Sequence, residues 1–160
     1  MAIFLTRFAT NQTAPVMLRP LRETAMKTIL VVDDDMAIRA LLRRVLESLG
    51  HQVREASTAL EALELLETQR VDLALCDVLM PGHDGVWLAD QILNRYPGIP
   101  VALATGLMEM DPSVTLRPGI VGYIVKPFRG QAVATLLESA FDAPPPAPPA
   151  EIDLDAIDAL

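Results

Sequence analysis

The fold of this chain is constrained most by a repeated alternation between short apolar runs and segments with helical periodicity. The first apolar run, Thr28–Val32, is rich in β-branched residues, as expected for a strand that is covered on both faces. In the segment after it, apolar residues recur three or four positions apart until Gly50, where a helix can end. Repeated strand–helix units predict an α/β fold, a doubly wound five-stranded parallel sheet with right-handed crossovers and helices on both faces.

The two patterns divide the chain into five strands and five helices. Asp35 and Ser57 precede the first two helical segments and are candidate N-caps. Strands are predicted at 28–32, 52–56, 71–76, 100–104 and 122–125, and helices after Asp35, at 58–68, at 86–94, within 106–119 and at 130–141.

The fourth helix is predicted to be short or irregular. Asp111 can cap a helix that begins at Pro112, but Pro118 would stop it after roughly one and a half turns. A helix of this length forms only where tertiary packing holds it. We therefore expect a stunted or mobile helix within 106–119.

Polar residues gather where the predicted strands end. In an open parallel sheet, ligands bind outside the carboxyl ends of the strands, near the point where the strand order reverses. The pattern therefore predicts one site that holds at least three carboxylates, a hydroxyl and an ammonium group. The residues at these strand ends are Asp33, Asp34, Asp35, Asp77, Thr105 and Lys126.

The carboxylates at these strand ends suit a magnesium site. Mg²⁺ prefers oxygen ligands and keeps several waters, so one or two carboxylates and a phosphoryl oxygen satisfy it. Asp34 and Asp77 are candidate direct ligands, and Asp33 is a candidate ligand through water. The backbone carbonyl of Leu79 is a further candidate ligand.

The same residues suit phosphoryl transfer. With the metal balancing the neighbouring negative charges, Asp77 stays ionised and can attack phosphorus as a nucleophile. Lys126 can stabilise charge on the equatorial oxygens of the transition state. Thr105 can donate a hydrogen bond to the phosphoryl group once it is bound.

Four motifs in order make the chain resemble the receiver domains of bacterial two-component signalling. The resemblance covers essentially all of 27–142, within a receiver domain predicted at 26–142. It implies a flavodoxin-like fold, bound Mg²⁺, Asp77 as the phospho-acceptor and a cis peptide between Lys126 and Pro127. The spacing between the motifs also fits this family. The motifs are VVDD at 31–34, DVLMPGHDG at 77–85, ATG at 104–106 and GYIVKPF at 122–128.

The resemblance implies a response regulator, and the few residues after the receiver domain predict a stand-alone one. Its phosphoryl donor would be a sensor histidine kinase or a histidine phosphotransfer protein, and phosphorylation would switch its contacts with a downstream protein. It would catalyse its own phosphorylation and dephosphorylation only. An aspartyl phosphatase would normally need a second acid two residues after the nucleophile, where Leu79 stands. A phosphorylation-independent binding module and an intermediate in a phosphorelay remain as alternatives.

The resemblance also gives Tyr123 a role. It occupies the aromatic switch position of the family, where the ring moves inward as the hydroxyl of Thr105 shifts toward the phosphoryl group. Such coupling biases an equilibrium between two existing conformations. The alternative is a static, half-buried tyrosine on an edge strand.

The chain departs from the family's common pattern near the acceptor and the fourth helix. The ATG motif is similar to that of a receiver subgroup with a poorly ordered fourth helix, but Val101 and Leu103 stand where that subgroup has phenylalanine. Leu79 and Leu107 are apolar and cannot orient an attacking water, which predicts slow loss of the phosphoryl group. Gly106 leaves room for water, which would favour faster loss of the phosphoryl group.

Both ends of the chain are expected to lie outside the folded unit. Residues 1–25 lack sustained periodicity and predict a disordered leader, with Met26 as a candidate natural start. Residues 143–150 are rich in proline and predict a stiff spacer, and the residues after it are too few for a DNA-binding domain. Residues 151–160 form an acidic amphipathic tail that is either a docking segment or a disordered end.

The composition of the chain argues against nucleic acid and membrane partners and favours a cytoplasmic location. The formal net charge of −8 argues against nucleic acid, because binding its backbone needs clustered Lys and Arg. Apolar runs stay well short of the roughly 18 residues that span a bilayer, so no membrane contact is expected. Cys76 is the single cysteine, is expected to be a small buried hydrophobe, and fits a cytoplasmic location. His51 is expected at the surface.

Overall fold

The computed structural model describes residues 25–106 and 111–142. These ranges contain nearly all of the predicted receiver domain. The predicted leader (apart from its last residue), the proline-rich spacer and the acidic tail lie outside the described residues, as does Leu107.

The five predicted strands form one parallel sheet in the order β2-β1-β3-β4-β5. From β1 the chain moves outward to β2 and then returns across β1 to β3, so the strand order reverses between β1 and β3. This arrangement confirms the doubly wound, flavodoxin-like fold. The strands are β1 (Thr28–Val32), β2 (Gln52–Ala56), β3 (Leu73–Asp77), β4 (Val101–Thr105) and β5 (Ile120–Val125).

Five helices connect and follow these strands, with bounds that lie within two residues of the predicted ones. None of the helices in the described ranges combines the length and apolar character needed to cross a bilayer. The helices are α1 (Met36–Ser48), α2 (Ala59–Thr68), α3 (Gly85–Arg95), α4 (Pro112–Thr115) and α5 (Gly130–Asp142).

The two predicted N-caps have different outcomes. The Asp35 side chain accepts the Ala37 N–H at 2.8 Å and begins α1 as predicted. The prediction for Ser57 is wrong, because α2 begins one residue later, at Thr58, whose hydroxyl accepts the Glu61 N–H at 3.2 Å. The Ser57 hydroxyl and N–H instead donate to the Glu61 carboxylate at 2.8 and 2.7 Å. In a capping box, one N-cap residue and a glutamate near it bond to each other. Here Ser57 and Thr58 share these reciprocal bonds with Glu61.

Both faces of the sheet are covered by apolar layers. Side chains alternate along each strand, so Leu30 and Val32 face the layer with α2 and α3, whereas Ile29 and Val31 face the layer with α1 and α5. Cys76 lies in the first layer, and its burial, with the neighbouring Asp77 charge, raises the pKa of the thiol to about 12. Its prediction as a small buried hydrophobe is confirmed. The carboxyl edge of the sheet is thus the place where polar side chains can collect.

The fourth helix is as short as predicted, with four residues. The Asp111 side chain caps it by accepting the Ser113 N–H at 2.8 Å. Beyond it, the Arg117 guanidinium forms an ion pair with Asp90 of α3 and donates from Nε to the Ser113 carbonyl at 3.2 Å. These contacts supply the tertiary packing that a single helical turn requires.

The prediction that His51 lies at the surface is wrong, because this residue is only 8% exposed. It sits where α1 turns into β2, and the end of α5 covers it, with its ring centroid 6.1 Å from that of Phe141. Its Nδ1 accepts the Lys27 N–H at 3.3 Å. The ring therefore carries its proton on Nε2 when neutral.

Folding stability is expected to fall in mild acid because of His51. Burial lowers the pKa of His51 below 6.5, Asp72 opposes this shift, and Lys27 adds to it. The folded state thus prefers the neutral ring, so the stabilisation is present above about pH 6.5 and is lost as the pH falls through the folded-state pKa. Urea unfolding midpoints at about pH 7.5 and pH 5.5 should therefore diverge more for the natural protein than for His51→Phe, which does not titrate. Equal divergence in both proteins would contradict this assignment.

Candidate functional site

The register of the sheet brings the strand-end residues to one place. Val32 of β1 pairs with Cys76 of β3, so Asp33 and Asp77, one residue further along each strand, come side by side. On the other side of β3, β4 places Thr105 at its last position. All of these side chains therefore meet at the carboxyl edge, next to the point where the strand order reverses.

Three carboxylates form a cup at this edge, which we call the acidic cup: Asp33, Asp34 and Asp77. Each offers an oxygen that lies within 4.8 Å of the others. Asp33 and Asp77 are 1% and 5% exposed and form the floor, whereas Asp34 is exposed at the rim. Carboxylates this close repel one another strongly unless a cation lies among them.

Lys126 reaches this cup from the end of β5. Its Nζ donates to Asp33 Oδ2 at 2.5 Å and lies 3.1 Å from Asp77 Oδ1. The backbone N–H of Lys126 donates to the Thr105 carbonyl at 2.7 Å, which continues the β4–β5 pairing up to the site. The peptide between Lys126 and Pro127 is cis, as the family resemblance implied.

The pKa values of Asp77 and Lys126 are both raised, for different physical reasons. Burial raises the pKa of Asp77, the hydrogen bond from Lys126 lowers it, and the charge of Asp33 raises it again, with a net upward shift. For Lys126, burial acts to lower the pKa, but the hydrogen bonds and charges of Asp33 and Asp77 outweigh it, and the net shift is upward. Both groups therefore bind protons more tightly than usual. The site carries an excess of negative charge because three carboxylates face one ammonium group.

The donor set of the cup fits Mg²⁺. Asp33 already uses Oδ1 to accept the Asp35 N–H at 2.9 Å and Oδ2 to accept Lys126, which suits a ligand that acts through water. No donor among the described residues binds the exposed carboxylate of Asp34, which leaves it open to a cation. Asp77 Oδ1 accepts the Leu79 N–H at 3.4 Å. The structure thus brings these groups together, while their ligand roles, including that of the Leu79 carbonyl, stay predictions.

The two predicted switch residues lie on the same face of the sheet. Leu103 pairs with Tyr123, and Thr105 pairs with Val125, so the side chains of Thr105 and Tyr123 point toward the layer that contains α4. Thr105 is fully buried, whereas Tyr123 is 41% exposed next to the shortened helix. The arrangement is compatible with an outward ring that can move, and the switch stays a prediction.

Gly85 packs against the site, a role that was not predicted from the sequence. A Cβ atom on Gly85 would lie 2.0 Å from the carbonyl oxygen of Asp77 and 2.7 Å from its carbonyl carbon. The Gly85 N–H also donates to the Val78 carbonyl at 3.0 Å. The first residue of α3 therefore packs directly on the backbone that carries Asp77. The available signal was a glycine directly after Asp84, the N-cap of α3.

A family model described as the response regulator receiver domain matches residues 29–138. This range contains the whole acidic cup, Thr105, Tyr123 and Lys126.

Two curated relatives share this part of the chain. The response regulator protein FleR of Pseudomonas aeruginosa is 38% identical over 110 residues, which are 68% of this chain and 23% of the relative. The DNA-binding transcriptional regulator NtrC of Escherichia coli is 37% identical over 111 residues, which are 69% of this chain and 24% of the relative. The chain thus spans less than a quarter of the length of either relative.

A solved structure of similar size matches the fold. The response regulator protein TrrA of Thermotoga maritima, solved in complex with Mg²⁺ and BeF, is 28% identical and superposes with a TM-score of 0.66. The match covers 72% of this chain and 99% of TrrA.

Replacing Gly85 should destabilise the folded chain, because the added Cβ of Gly85→Ala meets backbone atoms that cannot rotate away. We expect a loss of roughly 1–3 kcal/mol in the free energy of unfolding, as for other overpacked positions. Gly98→Ala is the matched control, since a Cβ on Gly98 meets nothing within 4 Å and should change stability by less than about 0.5 kcal/mol. Urea unfolding of both variants measures the difference; equal losses would show that the contact with Asp77 carries no cost.

Proposed function

This chain belongs to the family of response regulator receiver domains, and we propose that Asp77 accepts a phosphoryl group from a phosphohistidine donor with the help of Mg²⁺. The observation that carries the proposal is the acidic cup. Its three carboxylates offer oxygens within 4.8 Å of one another, and Lys126 bridges two of them.

The transfer step uses a carboxylate oxygen of Asp77 as the nucleophile. This oxygen forms a bond to phosphorus while the bond between phosphorus and the donor imidazole nitrogen breaks, and the imidazole leaves with the electron pair. The product is an acyl phosphate on Asp77 and a free histidine on the donor. Bound Mg²⁺ supplies positive charge that balances the carboxylates and the phosphoryl oxygens.

Lys126 and Thr105 act on the transferred group. The upward shift of the Lys126 pKa keeps its ammonium charged at neutral pH, so it can stabilise negative charge on the equatorial oxygens. Thr105, at the end of the strand next to β3, donates its hydroxyl to the bound phosphoryl group in this proposal. Movement of that hydroxyl then shifts the Tyr123 ring between outward and inward positions.

We further propose that this protein acts as a stand-alone regulator in the cytoplasm. A histidine kinase or a histidine phosphotransfer protein is its donor, and an unknown downstream protein is its target. The net charge of −8 supports a protein target over nucleic acid. The match over nearly the whole length of TrrA supports the proposal that a protein of receiver size can act as a response regulator. The proposed catalysis is limited to phosphorylation and dephosphorylation of the chain itself.

Incubation with Mg²⁺ and acetyl phosphate tests the proposed acceptor. Intact-mass measurement should find one added phosphoryl group on the natural protein and none on Asp77→Asn, because an amide cannot form the acyl phosphate. The control is Asp84→Asn, which changes an exposed carboxylate outside the cup and preserves an N-capping side chain. A natural protein that stays unmodified, with unchanged Thr105 and Tyr123 NMR signals, would instead indicate a phosphorylation-independent binding module.

The phosphoryl group should be lost slowly, because the Leu79 side chain beside the acceptor cannot orient water. Leu79 is 57% exposed, so Leu79→Asn can introduce a polar group without disturbing the core. We expect Leu79→Asn to speed dephosphorylation by about tenfold or more, measured as the decay of the phosphorylated mass. Leu60→Asn, at an exposed leucine of α2, should leave the rate unchanged. Equal decay rates in the two variants would rule out this role for Leu79.

A further inference from the structure

The side chain of Arg39, in the first turns of α1, reaches back to the loop that carries the acidic cup. Its Nη1 donates to the backbone carbonyl of Asp33 at 2.6 Å and to that of Asp34 at 3.2 Å. The side chain is 16% exposed, so these contacts are largely shielded from water. One guanidinium nitrogen therefore holds the carbonyl oxygens of two successive residues of the cup.

These two carbonyls belong to the turn between β1 and α1. Two N–H groups of the turn have partners nearby, since the Asp33 N–H donates to the Ala56 carbonyl at 3.2 Å and the Asp35 N–H donates to Asp33 Oδ1 at 2.9 Å. Arg39 is the side chain that supplies donors for the carbonyls. A charged donor forms shorter and stronger hydrogen bonds than a neutral one, so it restricts how this turn can rotate.

On its other side the guanidinium lies near Glu55 of the edge strand β2. Its Nε lies 4.0 Å from Glu55 Oε1, and the other oxygen of Glu55 accepts from Arg43 at 2.8 Å. Glu55 pairs with Val31, two residues before Asp33. Arg39 thus connects the edge strand to the turn that presents Asp33 and Asp34.

We propose that Arg39 is a positioning residue that holds the Asp33 and Asp34 carboxylates in the arrangement required to bind the divalent cation together with Asp77. This inference rests on the proposed function, because it concerns the affinity of the same cup for Mg²⁺. It assigns a role to a residue that touches neither the cation nor the phosphoryl group.

Charge and positioning predict opposite effects of removing Arg39. A positive group near a cation site repels the cation, so loss of the charge alone would tighten Mg²⁺ binding. Loss of the hydrogen bonds lets the turn reorient and weakens binding, as for partners that orient metal ligands elsewhere. The sign of the change in affinity therefore separates the two explanations.

The experiment measures Mg²⁺ affinity by calorimetry on the full chain and on Arg39→Met, which keeps an unbranched stem and removes the donors. We expect the dissociation constant to rise by about tenfold. Arg43→Met is the matched control, because Arg43 lies one turn further along α1 and shares Glu55, but no bond from it to the turn is found in the described residues. Its dissociation constant should stay within about twofold of the natural value.

Unchanged or tighter Mg²⁺ binding by Arg39→Met, or equal weakening in Arg43→Met, would overturn the positioning role while leaving the proposed function in place. A natural protein that binds no Mg²⁺ would overturn the proposed function and this inference together. If circular dichroism shows that Arg39→Met does not fold, Arg39→Lys decides the question, because it keeps the charge on a shorter side chain. Weaker Mg²⁺ binding by Arg39→Lys supports positioning, and natural affinity overturns it.

Discussion

The contact between Lys126 and the two buried carboxylates, Asp33 and Asp77, organises the functional edge of this molecule. Two carboxylates with almost no access to water would repel each other and lose hydration, and one ammonium group offsets both effects only in part. The three carboxylates of the cup outnumber this ammonium group, and the residual negative charge suits the cup to a divalent cation. The closely spaced carboxylates that suit the cup to a cation therefore also destabilise the folded chain.

The surrounding scaffold holds that unfavourable arrangement in place. The strands β1, β3 and β4 are buried on both faces, and the first residue of α3 packs on the backbone of Asp77 without room for a side chain. On the other side of the cup, the turn after β1 is held by its own carboxylates and by Arg39. A site built from rigid strand ends keeps its geometry better than one built on loops, because the neighbouring packing restricts each rotamer.

Much of this could be predicted from sequence because the patterns are local. Asp35 and Asp111 begin helices as expected, and the fourth helix ends before Pro118. Two local predictions were wrong, and only the first failed for a reason that is not local. His51 looks like a polar residue after a helix, but Phe141, ninety residues later, covers it. Ser57 and Thr58 are both capable caps, and the choice between them depends on how Glu61 pairs with each.

The sequence by itself determined the order of strands and helices, the shortened fourth helix and the identity of the polar groups at the strand ends, because periodicity, capping and proline act over a few residues. Tertiary structure alone decided that Asp33 uses both oxygens within the protein, that Gly85 must lack a side chain and that Arg39 holds the turn. The contact of Lys126 with Asp33 joins residues far apart in the chain, and the contacts of Gly85 and Arg39 depend on distances between a strand end and the helix that follows it. Such distances follow from strand register and helix packing, which local patterns do not specify.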